Sequence, residues 1–188
     1  RLRTEHPHII LWHLLKNGDR DALGELFSAY HPLLLRYGSK ICRDRGLLED
    51  CIQDLFAEIW QSRSKPDIQS VQAYLLKALK YKIYKKQRIP VTKQISSDQP
   101  DEMLFEVSHD NFMIEQQEDL AKKQRIIDAL QGLSNRQREI IYLKVYQELS
   151  YEEISEIMNI NYQVARNLMS QAIKALKKSL LSFVGWIL

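Results

Sequence analysis

The stretch LSYEEISEIMNINYQVARNLMSQAIKAL, residues Leu149–Leu176, decides the fold class of this chain. Ser150 is followed three residues later by Glu153, the spacing at which a hydroxyl and a carboxylate cap a helix start reciprocally. The short helix this opens carries Ile154, Ile157 and Met158 on one face. Asn159-Ile160-Asn161 reads as a tight turn, and a last helix begins at about Tyr162 with Ala165, Met169, Ala172 and Leu176 as its packing face. Two short helices, a turn of three or four residues and an apolar pattern that locks their angle make a helix-turn-helix.

The other faces of the last helix carry Gln163, Arg166, Asn167, Ser170, Gln171 and Lys174. Arg, Asn and Gln can pair with base edges in a major groove, whereas Lys174, Lys177 and Lys178 suit phosphates. A solvated polar face is the bland alternative, and helix-turn-helix packing also occurs in protein-binding modules.

Helical spacing extends outward from this motif. Ser134 caps a preceding helix with the stripe Ile140, Ile141, Leu143 and Val145, and helical pattern holds from near Phe112 to the end. In the front half, Asp19 is an N-cap after Asn17-Gly18, followed by Leu23, Leu26, Phe27 and Tyr30 on one stripe. Pro32 is read as an interruption that starts a second helix with Leu34, Tyr37 and Ile41. A third helix runs from near Leu48 to Gln61, with Cys51, Ile52, Leu55, Phe56 and Ile59 inward and Asp50, Gln53, Asp54 and Glu58 outward. A fourth, basic helix spans about Ser70 to Arg88 and ends before Ile89-Pro90.

Charge is distributed in blocks. From Ile68 to Pro90 there are six Lys or Arg and no acid; from Gln94 to Ala121 there are eight Asp or Glu and no Lys or Arg; from Ile157 to Leu188 there are four basic residues and no acid. Two basic surfaces separated by an acidic segment suit a polyanionic partner met at two places. The expected architecture is all-α: a helical domain over 1–90, an acidic linker over 91–120 and a helix-turn-helix domain over 121–188. Within the linker, Met103, Leu104, Phe105 and Val107 are candidates for transient docking. Apolar residues make up 45% and charged residues 27% of the 188, the balance of a soluble globular protein.

No apolar run approaches the roughly 20 residues that cross a bilayer. The segment Arg1–Leu15 has no cleavage-site pattern of a signal peptide, and the lack of an initiating Met suggests a trimmed or processed start. Cys42 and Cys51 are read as reduced core residues, which fits a cytoplasm.

Taken together, both ends resemble one family. Ala129-Leu130-Gln131-Gly132-Leu133-Ser134-Asn135-Arg136-Gln137-Arg138-Glu139 and Leu149-Ser150-Tyr151-Glu152-Glu153-Ile154 resemble the last domain of extracytoplasmic-function (ECF) RNA polymerase sigma factors. Gly18-Asp19-Arg20-Asp21-Ala22-Leu23 with Leu26, Phe27 and Tyr30 resembles their opening helix, and Asp50-Cys51-Ile52-Gln53-Asp54-Leu55-Phe56, ending at Trp60, their polymerase-binding helix. The resemblance covers about Asn17 to Leu180 and is nearest the group expanded in Bacteroides and its relatives.

The resemblance implies that Asp50, Gln53, Asp54, Phe56 and Glu58 meet the β′ clamp helices of core RNA polymerase. It implies that residues 62–71 capture a flipped base of the −10 element. It also places Tyr74, Lys77, Lys80, Tyr81 and Tyr84 on the melted −10 strand, where rings stack on unpaired bases and lysines follow the backbone. Gln163, Arg166, Asn167, Ser170, Gln171 and Lys174 are then the −35 readers, and the acidic linker lies in the polymerase's basic channel. The expected partners are core polymerase (β′ clamp helices and β subunit), promoter DNA and an anti-sigma factor, often membrane-spanning.

The sequence departs from the family at Tyr74, Tyr81, Lys85 and Gln163-Val164-Ala165. The apolar tail Phe183-Val184-Gly185-Trp186-Ile187-Leu188 either joins the two domains or, the favoured reading, packs on its own.

Two other functions compete with this one. A stand-alone helix-turn-helix regulator leaves the acidic and tyrosine-bearing helices of the front half unexplained. An enzyme finds no support: His6, His8 and His13 have no helical Glu/His cluster beside them, and there is no Gly-rich phosphate loop or spaced Ser/His/Asp set. No cofactor or metal is expected.

Overall fold

The computed structural model describes residues 5–62, 67–88, 104–106 and 120–184. Among these no strand occurs, and eight helices follow in order: α1 Glu5–Lys16, α2 Arg20–Ile41, α3 Arg45–Gln61, α4 Val71–Lys86, α5 Leu120–Gln131, α6 Asn135–Ile141, α7 Tyr151–Met158 and α8 Tyr162–Val184. A π-helical turn, Tyr142–Tyr146, continues α6. The chain forms two compact units, Arg1–Lys93 with Glu156–Met158, and Gln94–Ser155 with Asn159–Leu188.

In the first unit α2 is the central post, packed against α1, α3 and α4. It is a single helix through Pro32, where the sequence reading expected two. The buried positions Ala22, Leu26, Tyr30, Leu34, Tyr37 and Ile41 form one unbroken stripe, and Pro32 lies on the exposed face. The hydrogen bond that proline omits is therefore lost toward solvent, while the core stripe favours continuity. Asp19 caps α2 as expected, accepting from the amides of Asp21 (2.9 Å) and Ala22 (3.1 Å).

The preceding helix α1 was not anticipated. It ends where α2 begins: Gly18, at φ +90, donates to the Leu15 carbonyl (3.0 Å), and Asp19 donates to that of Leu14 (3.1 Å). That pair of bonds is a glycine-terminated helix stop. The helix buries Trp12 and Leu15, and the Trp12 ring meets Tyr74 of α4 edge-on at 5.0 Å. His8 Nδ1 lies 2.8 Å from the Tyr30 hydroxyl.

α3 starts at Asp44, whose carboxylate takes the Leu47 amide at 3.0 Å. It crosses α2 at Gly38, where a Cβ would run into Leu48 Cδ1, so a larger residue there displaces the α3 core. Cys42 and Cys51 are free thiols inside this unit, and burial pushes both thiol pKa values up.

Lys40 is also interior, 2% exposed, and burial pushes its ammonium pKa down to about 8. Since the folded value lies below the ordinary 10.5, the unfolded chain binds more protons between those two pH values. The cost of charging Lys40 is thus fully present below pH 8 and is relieved as pH rises through that window. Lys40→Met is expected to raise the midpoint at pH 7 by roughly 4–8 °C for each kcal/mol regained, and the gain should shrink at pH 10. Thermal melts at both pH values check this; an equal gain at both would exclude the charge as its cause.

In the second unit α8 packs on α5 and α6. Ser134 and Gln137 cap α6 reciprocally (3.3 and 3.1 Å). Ser150 and Glu153 do the same for α7 (3.2 and 2.6 Å), as the sequence indicated. Asn159 closes α7 at φ 53, filling the role glycine usually has, while the Ile160 amide returns to the Ser155 carbonyl at 3.0 Å. Asn161 then caps α8 through the Val164 amide (2.8 Å). Val145, expected on the apolar stripe of α6, is 55% exposed. The wider π-turn holds one more residue than an α-helical turn and rotates the positions after it.

Residues 104–106 of the acidic segment belong to this unit. Phe105 is 1% exposed, its amide donates to Asn135 Oδ1 at 3.0 Å, and its ring centroid is 5.7 Å from that of Tyr142. Of the apolar linker residues, Phe105 is in the core and Leu104 is half-exposed, whereas Met103 and Val107 lie outside the described residues. For the C-terminal tail, α8 runs through Val184, and residues 185–188 lie outside the described residues.

Candidate nucleic-acid and partner-binding surfaces

α8 supplies the most coherent surface. Ala165, Met169 and Ala172 are buried, so the helix turns Gln163, Arg166, Asn167, Ser170, Gln171 and Lys174 to solvent, and all six are exposed. Gln163 Nε2 donates to Asn167 Oδ1 at 3.0 Å, and the Arg166 guanidinium stands 5.9 Å from the Tyr162 ring. These contacts pre-order part of a face rich in base-edge donors and acceptors, with Lys174, Lys177 and Lys178 exposed along the same helix. Asn159 ends α7 and Asn161 starts α8, so the turn between the two helices is closed by its own capping bonds.

α4 divides the five residues assigned to it. Lys77 and Tyr81 are exposed, Tyr81 by 53%. Tyr74 is half-buried, held edge-on by Trp12. Lys80 and Tyr84 must be corrected: they are 7% and 3% exposed and sit on the bundle side of the helix. Their spacing explains it, since Leu76, Lys80, Ile83 and Tyr84 share one helical stripe, and Lys80 Nζ lies 5.7 Å from the Tyr84 ring. A lysine stem can cover apolar surface as a core residue would.

α3 shows the same division. Asp50, Gln53, Asp54 and Glu58 are exposed as expected, but Phe56 is a core side chain, packed edge-on against Phe27 at 5.0 Å. Sequence spacing already put Phe56 on the inner stripe; its place in a functional motif does not make it a surface contact. The acidic face is matched within the unit, which the sequence reading missed. Lys86 donates to Asp54 at 2.8 Å, and Lys82 to Glu58. The bond from Lys86 holds the Asp54 carboxyl below its usual range, and the same bond raises the Lys86 ammonium. Acids at 54 and 58 and lysines at 82 and 86 have equal i,i+4 spacing on neighbouring helices, the one signal by which they were findable.

The loop between α3 and α4 is anchored at its far end. Ser70 caps α4 through the Ala73 amide (3.2 Å), and Lys16 donates to Asp67 at 2.7 Å, pulling that carboxyl below its usual value. Residues 63–66 of the −10 capture segment lie outside the described residues. Among the described residues no group of three or more His, Cys, Asp or Glu is placed to hold a metal ion.

A helical unit with acidic and lysine-tyrosine faces, joined to a helix-turn-helix unit that exposes Arg, Asn, Gln and Lys on its last helix, has the make-up of a DNA-binding transcription factor. Known families agree. The description Sigma-70 region 2 matches residues 26–88, and Sigma-70, region 4 matches residues 123–176, together well over half of the chain. The chain is similar to the ECF RNA polymerase sigma factor SigK of Mycobacterium sp. (strain JLS), 25% identical over 167 residues that span 86% of this chain and 84% of that protein. It is also similar to SigK of Mycobacterium ulcerans (strain Agy99), 25% identical over 174 residues, 88% of this chain and 89% of that one.

Its fold is shared by CnrH, solved with the cytosolic domain of CnrY, at a TM-score of 0.60 and 17% identity, covering 93% of this chain and 97% of CnrH. It is shared too by RpoE of Bartonella quintana, solved with the anti-sigma factor NepR, at 0.54 and 21%, covering 84% and 95%. The chain belongs to the sigma-70 family and, within it, is an alternative sigma factor of the ECF group. Sigma factors of this family bind core RNA polymerase and promoter DNA and direct initiation; they are not known as enzymes.

Proposed function

We propose that the two units divide the promoter between them. The helix-turn-helix domain (121–188) reads the −35 duplex through Gln163, Arg166, Asn167, Ser170, Gln171 and Lys174 on α8. The first domain (1–90) binds the melted −10 strand through Lys77 and Tyr81 of α4, with Tyr74 at the edge of that face. Asp50, Gln53, Asp54 and Glu58 of α3 meet the β′ clamp helices. Of the acidic linker (91–120), the part that precedes the docked Phe105 follows the polymerase's basic channel, mimicking nucleic acid. The single observation behind this reading is α8, capped by Asn161, with every candidate reader exposed and Ala165, Met169 and Ala172 buried.

Binding, rather than bond-making, is then the whole mechanism. Phosphate contacts set orientation and base-edge contacts set sequence. An anti-sigma factor is the expected regulator, since RpoE of Bartonella quintana was solved with the anti-sigma factor NepR. A membrane-anchored anti-sigma factor fits this arrangement, and the cytoplasm is the expected compartment; among the described residues no helix is long and apolar enough to cross a membrane. Placement in the Bacteroides-type group rests on sequence pattern, whereas the curated relatives named above are mycobacterial.

In vitro transcription tests the reading: core polymerase from a related bacterium, a pool of upstream DNA fragments, with and without the protein. Specific starts that occur only with the protein are expected, and their sequences give both elements. DNA binding without added initiation would instead favour a stand-alone regulator.

A further inference from the structure

Phe105 lies in the middle of the acidic segment, fifteen residues before α5 begins at Leu120, yet it is one of the largest fully buried side chains. Two independent contacts hold it. Its ring packs beside Tyr142, and its backbone amide donates to Asn135 Oδ1, which also accepts from Arg138 Nη2 at 3.0 Å. Asn135 opens α6, the helix fixed by the Ser134–Gln137 capping box and packed against α8. The linker is therefore fastened to the framework that carries the recognition helix. Burying a whole phenyl ring favours the docked over the undocked state roughly ten- to a hundredfold.

We propose that Phe105 is a positioning residue: it staples the linker to the second unit, sets the reach between the two DNA-reading domains, and so limits the −10 to −35 spacing that the protein accepts. This inference rests on the division of the promoter proposed above. With the staple closed, fifteen residues, 89–103, lie between Arg88 and the docked segment at 104–106, and fifteen residues span at most roughly 50 Å. With the staple open, residues 89–119 connect α4 to α5, and the limit rises to roughly 100 Å. DNA advances about 3.4 Å per base pair, so this change of reach is large on the scale of promoter spacing.

The test uses the full-length protein, core polymerase and a promoter recovered from the fragment pool, rebuilt with its spacer lengthened and shortened one base pair at a time. A Gly-Ser-Gly-Ser insertion between Ser97 and Asp98, on the first unit's side of the staple, adds up to about 13 Å of reach. It is expected to move or widen the spacer profile by about 1–3 base pairs. The same insertion between Gln116 and Gln117, beyond the staple, is expected to leave the profile unchanged. Combined with Phe105→Ala, that second insertion should act like the first.

The insertions leave Phe105 and its packing intact, so the comparison does not depend on how well Phe105→Ala folds. Equal shifts from both insertions with Phe105 present would overturn the staple, and so would an unmoved profile from the first. In each case initiation itself continues. Failure of the unmodified protein to initiate on any fragment is a separate result, and it would overturn the promoter reading together with the staple.

Discussion

Alanine at both Arg166 and Gln171 is expected to lower initiation from a cognate promoter by about a hundredfold or more, with an unchanged melting curve. Both side chains are exposed on α8, and surface substitutions of this kind typically shift stability by within about 0.5 kcal/mol. A good base-edge contact is worth about 1–3 kcal/mol of discrimination, and two well-separated contacts roughly add. Lys174→Ala should behave differently. A lost phosphate contact weakens binding evenly across sequences and lowers the salt slope by about one. Transcription from the cognate promoter and from single-base variants, repeated over a salt series, separates the two. If the double variant loses affinity without relaxing sequence preference, α8 holds backbone only and the readers lie elsewhere.

Trp12→Ala is expected to cost the first unit about 3–5 kcal/mol, the range for emptying a fully buried aromatic site. Trp12 is 1% exposed and supports Tyr74 edge-on, so the loss reaches the face of α4 as well. In a unit of this size the midpoint should fall by at least about 12 °C, and Trp12→Phe should recover much of it. Circular dichroism melts decide the matter. A drop of only a degree or two for Trp12→Ala would show that α1 is an ornament on the bundle rather than one of its walls.

The second unit was legible because its signals are local. Ser150 with Glu153 and the Asn159-Ile160-Asn161 turn act within a few residues of one another, so spacing alone fixes two helices and the angle between them. The first unit was legible where one stripe could be followed, as in α3, and misread where a single residue outvoted the stripe. Pro32 suggested a break, but a proline on the exposed face of a helix with a continuous buried stripe bends to the core. Gly18 leads into the Asp19 cap in the sequence pattern, and the same glycine stops α1.

Helical spacing separates exposed from buried positions, and not every residue assigned to a face is exposed on it. Lys80, Tyr84 and Phe56 have chemistry suited to a binding surface, but helical phase puts each inside. Contacts between distant residues left no local mark: Lys16 with Asp67, and Phe105 with Asn135, depend on tertiary placement.

The pairing of Asp54 with Lys86 and Glu58 with Lys82 has a consequence for how this protein meets charged company. A bare acidic ridge would cling to any cation and a bare lysine ridge to any nucleic acid. Closed on each other, the two ridges are quiet toward strangers. For a partner that brings cations of its own, docking on α3 would be a swap, in which each carboxylate exchanges one ammonium for another cation and the released ammonium is left to water or to an anion. The same swap would free Lys82 and Lys86 on α4, so engagement of one helix would arm its neighbour for DNA only after the first handshake is complete.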